Sequence, residues 1–401
     1  MLSVEEYLAT VLGLAEGVSL GSETVLLPAA LGRVLAADVM ARLAVPLFDN
    51  SAMDGFAVRA ADVVEVPVHL AVLGESAAAG GPIPSVTPGG AVRVMTGGRL
   101  PSGADAVVPV EDTDQPAGAA PLPDRVRIDR VVHVGQHVRR RADDVAECAL
   151  VLSAGELVTP AALAAAVGVG HGVLPVVRRP RVAVLATGAE LVAPGTDPAA
   201  GEIPDSNSVM LAALAAAAGA EVVAATRSGD DPAELSAVIA GLPAVDLILT
   251  SGGVSAGVYE PLRQLDAELE FSAVAMQPGK PQGHGRVGGV PLLAFPGNPV
   301  SAFVSFRVFG RPLLDALTGV RRSDRIRTVR AGVDWRTPPG RRQYLPVTLA
   351  ETPDGTVARP SHRHGSGSHL IASLHLADAL AVVPAERDAV TAGERVTVME
   401  V

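Results

Sequence analysis

Five short turns rich in glycine, proline and polar residues follow apolar runs in the second half of the chain. They are TGAE (187–190), SGDD (228–231), TSGGVSAG (250–257), QPGKP (277–281) and PGNP (296–299). Glycines let a backbone approach a ligand closely and point N–H groups at an anion. A tight turn between elements explains any one of them alone, but five together favour an anion or phosphate cleft. None matches the Walker or Rossmann glycine pattern, so the cleft is of another type.

Carboxylates accompany these glycines, namely Glu190, Asp230, Asp231 and Glu260. Acids beside an anion cleft make sense if a divalent cation bridges them, because Mg²⁺ prefers one or two carboxylates plus phosphate oxygens. Each acid could instead cap a helix. Asp231 fits that alternative best, since it directly precedes Pro232.

Lys280 is the only lysine in the chain, although lysine and arginine together number 32. A composition rich in arginine and alanine could leave one lysine by chance. Lysine, however, is a compact point charge on a flexible stem, whereas arginine is a planar fork. We therefore expect Lys280, stiffened between Pro278 and Pro281, to neutralise an oxyanion in the cleft.

A second polar cluster lies in the first half of the chain. The segment VPLFDNSAMDGFAVR (45–59) places Asp49, Asn50, Ser51 and Asp54 between apolar residues, which is unusual for a solvent-exposed loop. Thr96 follows in VMTGGRLPSGADAVVPVED (94–112), and Asp144 ends VRRRADD (138–144). Ordinary solvated turns could explain these last two segments.

The elements that must position these residues follow from the hydrophobic pattern. Valine-rich runs alternate with helical stretches over 180–319, which predicts a mostly parallel sheet covered on both faces, with ligands at the carboxyl ends of its strands. Short β-rich runs dominate 46–138 and the segment after 321. Helices start at Ser3 and at Thr159–Pro160, and we expect these two helices to share one domain.

The predicted fold is thus multidomain α/β plus β, with a central three-layer α/β domain. The predicted domains are an N-terminal helical and linker domain (1–45 with 140–175), an inserted small β domain (46–139), the α/β domain (176–320) and a C-terminal β domain (321–401).

Composition excludes several classes of protein. A net charge of −11 argues against binding to nucleic acid or to an anionic membrane surface. Cys148 is the single cysteine, which excludes a disulfide framework and a cysteine-ligated zinc site. The acidic N-terminus lacks the basic region of a signal peptide, and no apolar run could span a bilayer. We expect a cytoplasmic protein.

The chain resembles the molybdopterin molybdenumtransferase family, which includes the E domain of gephyrin. The resemblance spans nearly the whole chain and rests on FDNSAMDGFAVR, VMTGGRLPSGADAVV, GQHVRRRADD, RRPRVAVLATGAELVAPG, DSN, DDP, TSGGVSAG, PGKP, PGNPVSAFVSF and GSGSHLIASLHLADAL. It implies four domains, an elongated homodimer, and a cleft between the α/β domain of one subunit and the β domain of the other.

The resemblance implies insertion of molybdate into adenylated molybdopterin with Mg²⁺, releasing AMP and the molybdenum cofactor. A molybdopterin adenylyltransferase would supply the substrate. Carried over by motif and chemistry, the catalytic residues would be Asp54, Thr96, Asp144, Glu190 and Lys280, and Mg²⁺ would be held by Glu190, Asp230 and Glu260. The pterin nucleotide would contact Ser206, Asn207, Ser251, Gly252, Gly253, Ser255, Pro296, Gly297, Asn298 and Pro299.

The chain departs from the family pattern at a few positions. Ala189 and Val258 stand where acids are usual, Gln277 replaces a lysine, and Ala142 replaces a glycine. These departures keep open a second hypothesis, a molybdopterin-binding paralogue with altered specificity or without turnover. A third hypothesis, a competence-damage-type nucleotide enzyme built on the α/β domain, does not explain the SAMDGFA segment.

Overall fold

A computed structural model of the chain describes residues 1–76, 81–118, 120–254, 261–320, 326–362, 365 and 367–401. The chain begins with helix α1 (Val4–Gly13). Its N-terminus forms a capping box, in which Glu6 N donates to Ser3 Oγ (3.1 Å) and Ser3 N donates to Glu6 Oε2 (2.7 Å). Ser3 is therefore the N-cap, as predicted. The next elements are β1 (Ser22–Leu26), α2 (Leu27–Ala30) and β2 (Val39–Met40).

A small β domain follows. Its five-stranded sheet has the order β7–β4–β6–β5–β8 and is antiparallel except for the β5–β6 pair. Phe56, Leu70 and Ile128 are buried in its core. The elements are β3 (Asn50–Ser51), β4 (Gly55–Val58), β5 (Val68–Ser76), β6 (Gly90–Val94), β7 (Ala106–Pro109), β8 (Arg125–Ile128) and β9 (Val138–Arg139), with short 3₁₀ helices at Ala60–Asp62 and Val110–Asp112.

The chain then returns to its first elements. β10 (Leu150–Leu152) pairs with β2, and β11 (Val173–Val177) pairs with β1. Between them lies α3 (Pro160–Gly168), whose N-cap Thr159 accepts a hydrogen bond from Ala162 N (3.1 Å). The β domain is therefore inserted between two halves of one unit, which has its own core around Leu35 and Leu174.

The α/β domain contains a six-stranded sheet of order β15–β12–β16–β20–β19–β17. The first four strands are parallel, and β19 runs antiparallel to both neighbours. The strand β19 was not predicted, because PQGHG lacks the apolar pattern of a strand. The elements are β12 (Arg181–Thr187), β13 (Leu191–Val192), β14 (Ile203–Pro204), α4 (Asn207–Ala217), β15 (Glu221–Ser228), α5 (Pro232–Ala240), β16 (Leu247–Ser251), a 3₁₀ helix (Pro261–Gln264), β17 (Glu268–Ala273), β18 (Met276–Gln277), β19 (Pro281–Val287), β20 (Val290–Phe295), α6 (Pro299–Ser305), a π-helical segment (Phe306–Gly310) and α7 (Arg311–Thr318).

Helix α1 packs into the core of this α/β domain and not against α3, contrary to the prediction. The Tyr7 ring makes edge contacts with His284 of β19 (5.3 Å between centroids) and with Phe309 (4.8 Å). Val4 and Val11 are buried in the same core. The physical reason is that α1 presents an apolar face that the α6–α7 region covers, whereas α3 completes a different core.

The C-terminal domain is a closed β barrel. Its strands run β23–β24–β21–β27–β25, and an additional β23–β25 pairing closes the ring. β18 of the α/β domain pairs with β23, placing Gln277 opposite Gln343. The elements are β21 (Ile326–Ala331), β22 (Trp335–Arg336), β23 (Arg342–Thr352), β24 (Gly355–Pro360), a 3₁₀ helix (Ile371–Leu376), β25 (Ala379–Val383), β26 (Ala389–Val390) and β27 (Arg395–Glu400).

None of the helices in the described part of the chain is long and apolar enough to cross a membrane.

Candidate functional site

Four of the five polar turns meet at one cavity of about 510 Å³ at the carboxyl ends of β12, β15, β16 and β20. The fifth turn contributes Pro281 to its border. The predicted turns therefore meet at one edge of the sheet, as expected. The predicted residues that line the cavity are Glu190, Asn207, Asp230, Ser251, Gly252, Gly253, Pro296, Gly297 and Asn298.

The glycine turn after β16 needs its glycines for steric reasons. Gly252 has φ +92°, and a Cβ there would lie 2.5 Å from the carbonyl oxygen of Thr187. A Cβ on Gly297 would lie 3.6 Å from Gly252 Cα, so the turns after β16 and β20 touch. Gly252 N also donates to Phe295 O (3.0 Å). The absence of side chains thus brings three strand ends together and leaves backbone at the cavity surface.

Asn207, the first residue of α4, connects these turns. Its Nδ2 donates to Ser251 Oγ (2.7 Å) and to Gly297 O (2.6 Å). Its Oδ1 is buried and accepts no hydrogen bond from the described residues. Ser206, also predicted as a binding residue, makes no capping bond and does not line the cavity. The carboxamide of Asn207 therefore fixes the shape of the cavity floor and retains one unused acceptor.

Asp205, which was not predicted as a site residue, is buried close to Asn207 in the chain. Its carboxylate accepts hydrogen bonds from Ser208 N (3.0 Å) and from the Ser208 hydroxyl. An aspartate three residues before a serine at a helix start is a capping signal that could have identified it. Asp205 orients the first turn of α4, and with it Asn207.

Two carboxylates, those of Glu190 and Asp230, lie at the mouth of the cavity. Asp230 Oδ2 accepts a hydrogen bond from Ala189 N (3.4 Å), and the Glu190 carboxylate folds back to 2.7 Å from where a Cβ of Gly188 would be. Two carboxylates facing exposed backbone match the preference of Mg²⁺ for few protein ligands plus phosphate oxygens. No three acidic, histidine or cysteine side chains of the described residues form a metal site by themselves.

The other predicted acids and turn residues do not line the cavity or lie outside the described residues. Asp231 is the N-cap of α5 and accepts from Ala233 N (2.8 Å), so the capping alternative is confirmed. Pro299 is the first residue of α6 and does not line the cavity. The predicted contacts Ser255 and Glu260, together with Val258, lie outside the described residues.

Lys280 is exposed next to Pro281, and no described residue forms an ion pair or side-chain hydrogen bond with it. The Gln282 side chain fixes this turn, because its Nε2 donates to Gly279 O (2.7 Å) and to Ser305 Oγ (2.6 Å). Gln277 Oε1 accepts a hydrogen bond from Arg341 of the barrel (2.9 Å). The neutral residue at 277 therefore has a structural partner, and Lys280 keeps a free positive charge beside the cavity.

The β domain carries the second group of predicted residues. Asp54 Oδ1 accepts hydrogen bonds from Thr96 N (2.6 Å) and Thr96 Oγ1 (2.8 Å). These two bonds hold the pKa of Asp54 below its usual value. Asp54 is exposed at the edge of a cavity of about 360 Å³. The structure therefore brings Asp54 and Thr96 together, as predicted.

Asp144 is the third predicted residue of this group. Its backbone N–H donates to Val45 O (2.9 Å), and no described hydrogen bond joins its side chain to Asp54 or Thr96. Asp49 connects the two segments, because it accepts from Arg141 N (2.8 Å) and from Arg140 Nη1 (2.7 Å). Backbone and side-chain donors thereby lower the pKa of Asp49.

The two cavities share no lining residue, so within one chain the predicted site residues form two groups.

Comparisons with known proteins cover almost the whole chain. Residues 2–170 match the MoeA N-terminal region (domains I and II), residues 183–316 match a probable molybdopterin binding domain, and residues 328–401 match the MoeA C-terminal region (domain IV).

Individual relatives and solved structures carry names that correspond to these family models. The chain is 43% identical to a molybdopterin molybdenumtransferase 2 of Mycobacterium tuberculosis, covering 94% of each protein. It is 31% identical to a molybdopterin molybdenumtransferase of Haemophilus influenzae, covering 92% of this chain and 91% of that protein. Two solved structures of a molybdopterin biosynthesis MoeA protein from Pyrococcus horikoshii align with TM-scores of 0.82, at 30% and 26% identity, over 100% of this chain and 99% and 100% of theirs.

Proposed function

This chain belongs to the molybdopterin molybdenumtransferase family, and we propose that it inserts molybdate into adenylated molybdopterin, releasing AMP and the molybdenum cofactor. The observation that carries the proposal is the 510 Å³ cavity, in which glycine backbone and two carboxylates face one another. Such an arrangement suits a phosphate ester bound together with a divalent cation. A molybdopterin adenylyltransferase would supply the substrate.

The phosphate of the nucleotide would lie against Gly252 and Gly253, whose backbone can approach it because neither residue has a side chain. Ser251 and the predicted contact Ser255 would add hydroxyl donors. Asn207 would hold the floor of the cavity through Ser251 and Gly297, and its unused Oδ1 could accept a hydrogen bond from the ligand.

Mg²⁺ would be held by Glu190 and Asp230, with Glu260 as the third predicted ligand. When bound there, it would withdraw charge from the phosphate and so assist cleavage of the bond to AMP. Both described carboxylates are exposed at the cavity mouth, where a cation from solvent can reach them.

Lys280 would attract molybdate and hold it beside the phosphate. An oxyanion approaching a protein of net charge −11 needs a local cation. Lys280 supplies one that no described carboxylate neutralises.

The complete site would form in a homodimer, in which Asp54, Thr96 and Asp144 of one subunit close the cavity of the other. Two observations support this. The Asp54 cavity and the α/β cavity have no common lining residue in one chain. Large apolar side chains are also exposed beside both groups, Leu47 and Phe48 next to Asp49, and Ile203 and Val209 near Asn207.

A single assay tests the proposal. The pure protein is incubated with adenylated molybdopterin, molybdate and Mg²⁺, and AMP is measured by chromatography. We expect AMP release that requires both molybdate and Mg²⁺. Tight binding of the adenylated pterin without AMP release would instead support the paralogue that binds without turnover, which Ala189 and Val258 first suggested.

A further inference from the structure

The turn that carries Lys280 rests on one buried polar side chain, that of Gln282. Gln282 is the second residue of β19 and is only 1% exposed. Its Nε2 donates both of its hydrogens, one to Gly279 O (2.7 Å) and one to Ser305 Oγ (2.6 Å). The carboxamide therefore ties the turn to the end of α6.

The oxygen of the same carboxamide has no partner. Gln282 Oε1 is buried and accepts no hydrogen bond from the described residues. Gly279 O can only accept, so the carboxamide cannot turn around to relieve Oε1 without losing this bond. A buried acceptor without a donor is unfavourable, and an apolar side chain at 282 would avoid it. The two donated bonds therefore point to a role other than stability.

The backbone on both sides of the Lys280 side chain is fixed. Gln282 holds Gly279 O, and Val274 N donates to Lys280 O (2.8 Å). Gly279 has φ +98°, and a Cβ there would lie 3.1 Å from both Gln282 Nε2 and Ser305 Oγ, so the turn packs directly on this pair. The Lys280 side chain itself is exposed. Its base is thus held in place, while its ammonium group is free to meet a ligand.

Ser305 connects this turn to the α/β cavity. It is the fully buried last residue of α6, and α6 begins at Pro299, directly after the cavity-lining turn 296–298. One hydrogen-bonded link therefore joins the base of Lys280 to the helix that follows the cavity wall.

We propose that Gln282 is a positioning residue, which holds the Gly279–Lys280 peptide so that the Lys280 ammonium group reaches an oxyanion in the α/β cavity. The inference rests on the proposed function for the role of Lys280. A flexible lysine stem loses conformational freedom when it binds an anion. Fixing its base in advance reduces that loss and so raises the affinity.

The test is a double-mutant cycle of Gln282→Met and Lys280→Ala, with the affinity of the whole protein for molybdate measured by isothermal titration. Methionine is flexible and unbranched like glutamine but donates no hydrogen bond. We expect Gln282→Met to weaken molybdate binding about three- to tenfold. In the Lys280→Ala background it should have no further effect, because the side chain that it positions is gone. Equal effects in both backgrounds would overturn the inference.

The matched control is Gln343→Met in the barrel. Gln343 is fully buried, accepts a hydrogen bond from Trp335 Nε1 (3.1 Å) and donates to Arg336 O (3.3 Å). Both methionine variants should unfold at lower urea concentration than wild type, but Gln343→Met should bind molybdate like wild type. A comparable loss of affinity in this control would assign the effect to general destabilisation and refute the positioning role.

A second measurement observes Lys280 directly. Because it is the only lysine in the chain, protein labelled with ¹³C at the lysine ε-carbon gives a single lysine signal in an NMR spectrum. We expect this signal to shift as molybdate is added, and Ser305→Ala, which removes one acceptor of Gln282 Nε2, to require more molybdate for the same shift. Should Gln282→Met not fold, Ser305→Ala decides, and a midpoint equal to that of wild type would contradict the proposal.

These outcomes are separable from those of the proposed function. Coupled loss of molybdate binding in the cycle, combined with no AMP release by wild type, would keep the positioning role and refute the reaction. Normal AMP release, combined with wild-type molybdate affinity in Gln282→Met, would do the opposite.

Discussion

At the scale of single residues, Glu190 gives the sharpest test of the proposed cation site. We expect Glu190→Gln to abolish Mg²⁺-dependent AMP release, because an amide oxygen is a poorer ligand for Mg²⁺ than a carboxylate. The free energy of unfolding should change by no more than about 0.5 kcal/mol, since the side chain is exposed. Turnover and urea denaturation are measured on the same preparation.

The matched control is Glu221→Gln. Glu221 is an exposed glutamate at the amino end of β15, whereas the cavity lies at the carboxyl ends of the strands. This variant should turn over normally. Normal turnover by Glu190→Gln as well would show that Glu190 is not a metal ligand.

Lys280 tests whether the cavity needs a local positive charge. Lys280→Ala should weaken binding of molybdate or of the adenylated pterin by about 1–3 kcal/mol, the range for losing a charged hydrogen bond. Lys280→Arg should recover only part of this, because the longer fork demands a different geometry. Isothermal titration of both ligands measures the effect. Arg330→Ala, which removes an exposed cation from the barrel, is the control, and affinities equal to wild type in all variants would make Lys280 dispensable.

At the scale of elements, the glycine turn after β16 should tolerate no side chain. Gly252→Ala adds a Cβ 2.5 Å from Thr187 O at a residue with φ +92°. Gly195 has a similar φ of +83°, and a Cβ added there would have no atom within 4 Å. Gly195→Ala therefore measures the cost of the backbone conformation alone. We expect about 1–2 kcal/mol of destabilisation for Gly195→Ala. Gly252→Ala should cost about 1–3 kcal/mol more, and equal costs in urea denaturation would mean that the turn relaxes freely.

The contact between α1 and β19 should make stability depend on pH. Burial lowers the pKa of His284 below 6.5, while Glu270, 3.8 Å away, opposes the shift. Burial raises the pKa of the neighbouring Tyr7, which therefore stays neutral. As the pH falls below 6.5, the unfolded chain binds a proton at His284 that the folded chain does not, so stability falls until the lower folded pKa is reached.

The measurement compares wild type with His284→Gln by urea denaturation from pH 7.5 to pH 5. The difference between their free energies of unfolding should shrink or reverse in favour of the variant as the pH falls. If the difference in unfolding free energy stays constant from pH 7.5 to pH 5, the pKa of His284 is the same in the folded and the unfolded chain. The surface histidine variant His69→Gln is the control.

Sequence analysis predicted elements best where local signals agreed with tertiary packing. Ser3 and Thr159 cap helices as their residue types indicate, and Gly319, with φ +74°, ends α7. The strand Pro281–Val287 could not be predicted, because it contains two glycines and a buried histidine and is stabilised by two flanking strands. The core against which α1 packs could not be predicted either, because an apolar helix face does not specify its packing partner.

The meeting of the polar turns was predictable for a similar physical reason. The turns 187–190, 228–231 and 296–299 and the described part of the turn after β16 (251–254) could be assigned to one cavity, because parallel strands end at one edge of a sheet. The cavity beside Asp54 had no equivalent signal, because its prolines and Arg93 come from loops and a strand whose meeting depends on the whole β domain.

At the scale of the whole molecule, a site built across subunits predicts complementation between inactive variants. Asp54→Asn and Glu190→Gln are mixed, unfolded and refolded together. A heterodimer would contain one site with both substitutions and one site with neither. Activity should return to about a quarter of the wild-type value, because half of the dimers are mixed and each has one intact site.

Each variant refolded alone is the control and should remain inactive. Light scattering on the same samples should give about twice the chain mass of 40.7 kDa. A dimer without restored activity would place Asp54 and Glu190 in the same subunit's site, and a monomer would refute the shared cavity.

The docking of α1 has a consequence for synthesis of the chain. The ribosome makes α1 first, yet its partners in α6, α7 and the π-helical segment between them lie roughly 300 residues later. At about 5–20 residues per second, α1 waits about 15–60 s for its docking surface. During that interval Tyr7 and its apolar neighbours are available to chaperones, while the inserted β domain, whose strands are complete by residue 139, can already fold. The first helix to be synthesised is therefore among the last to be buried.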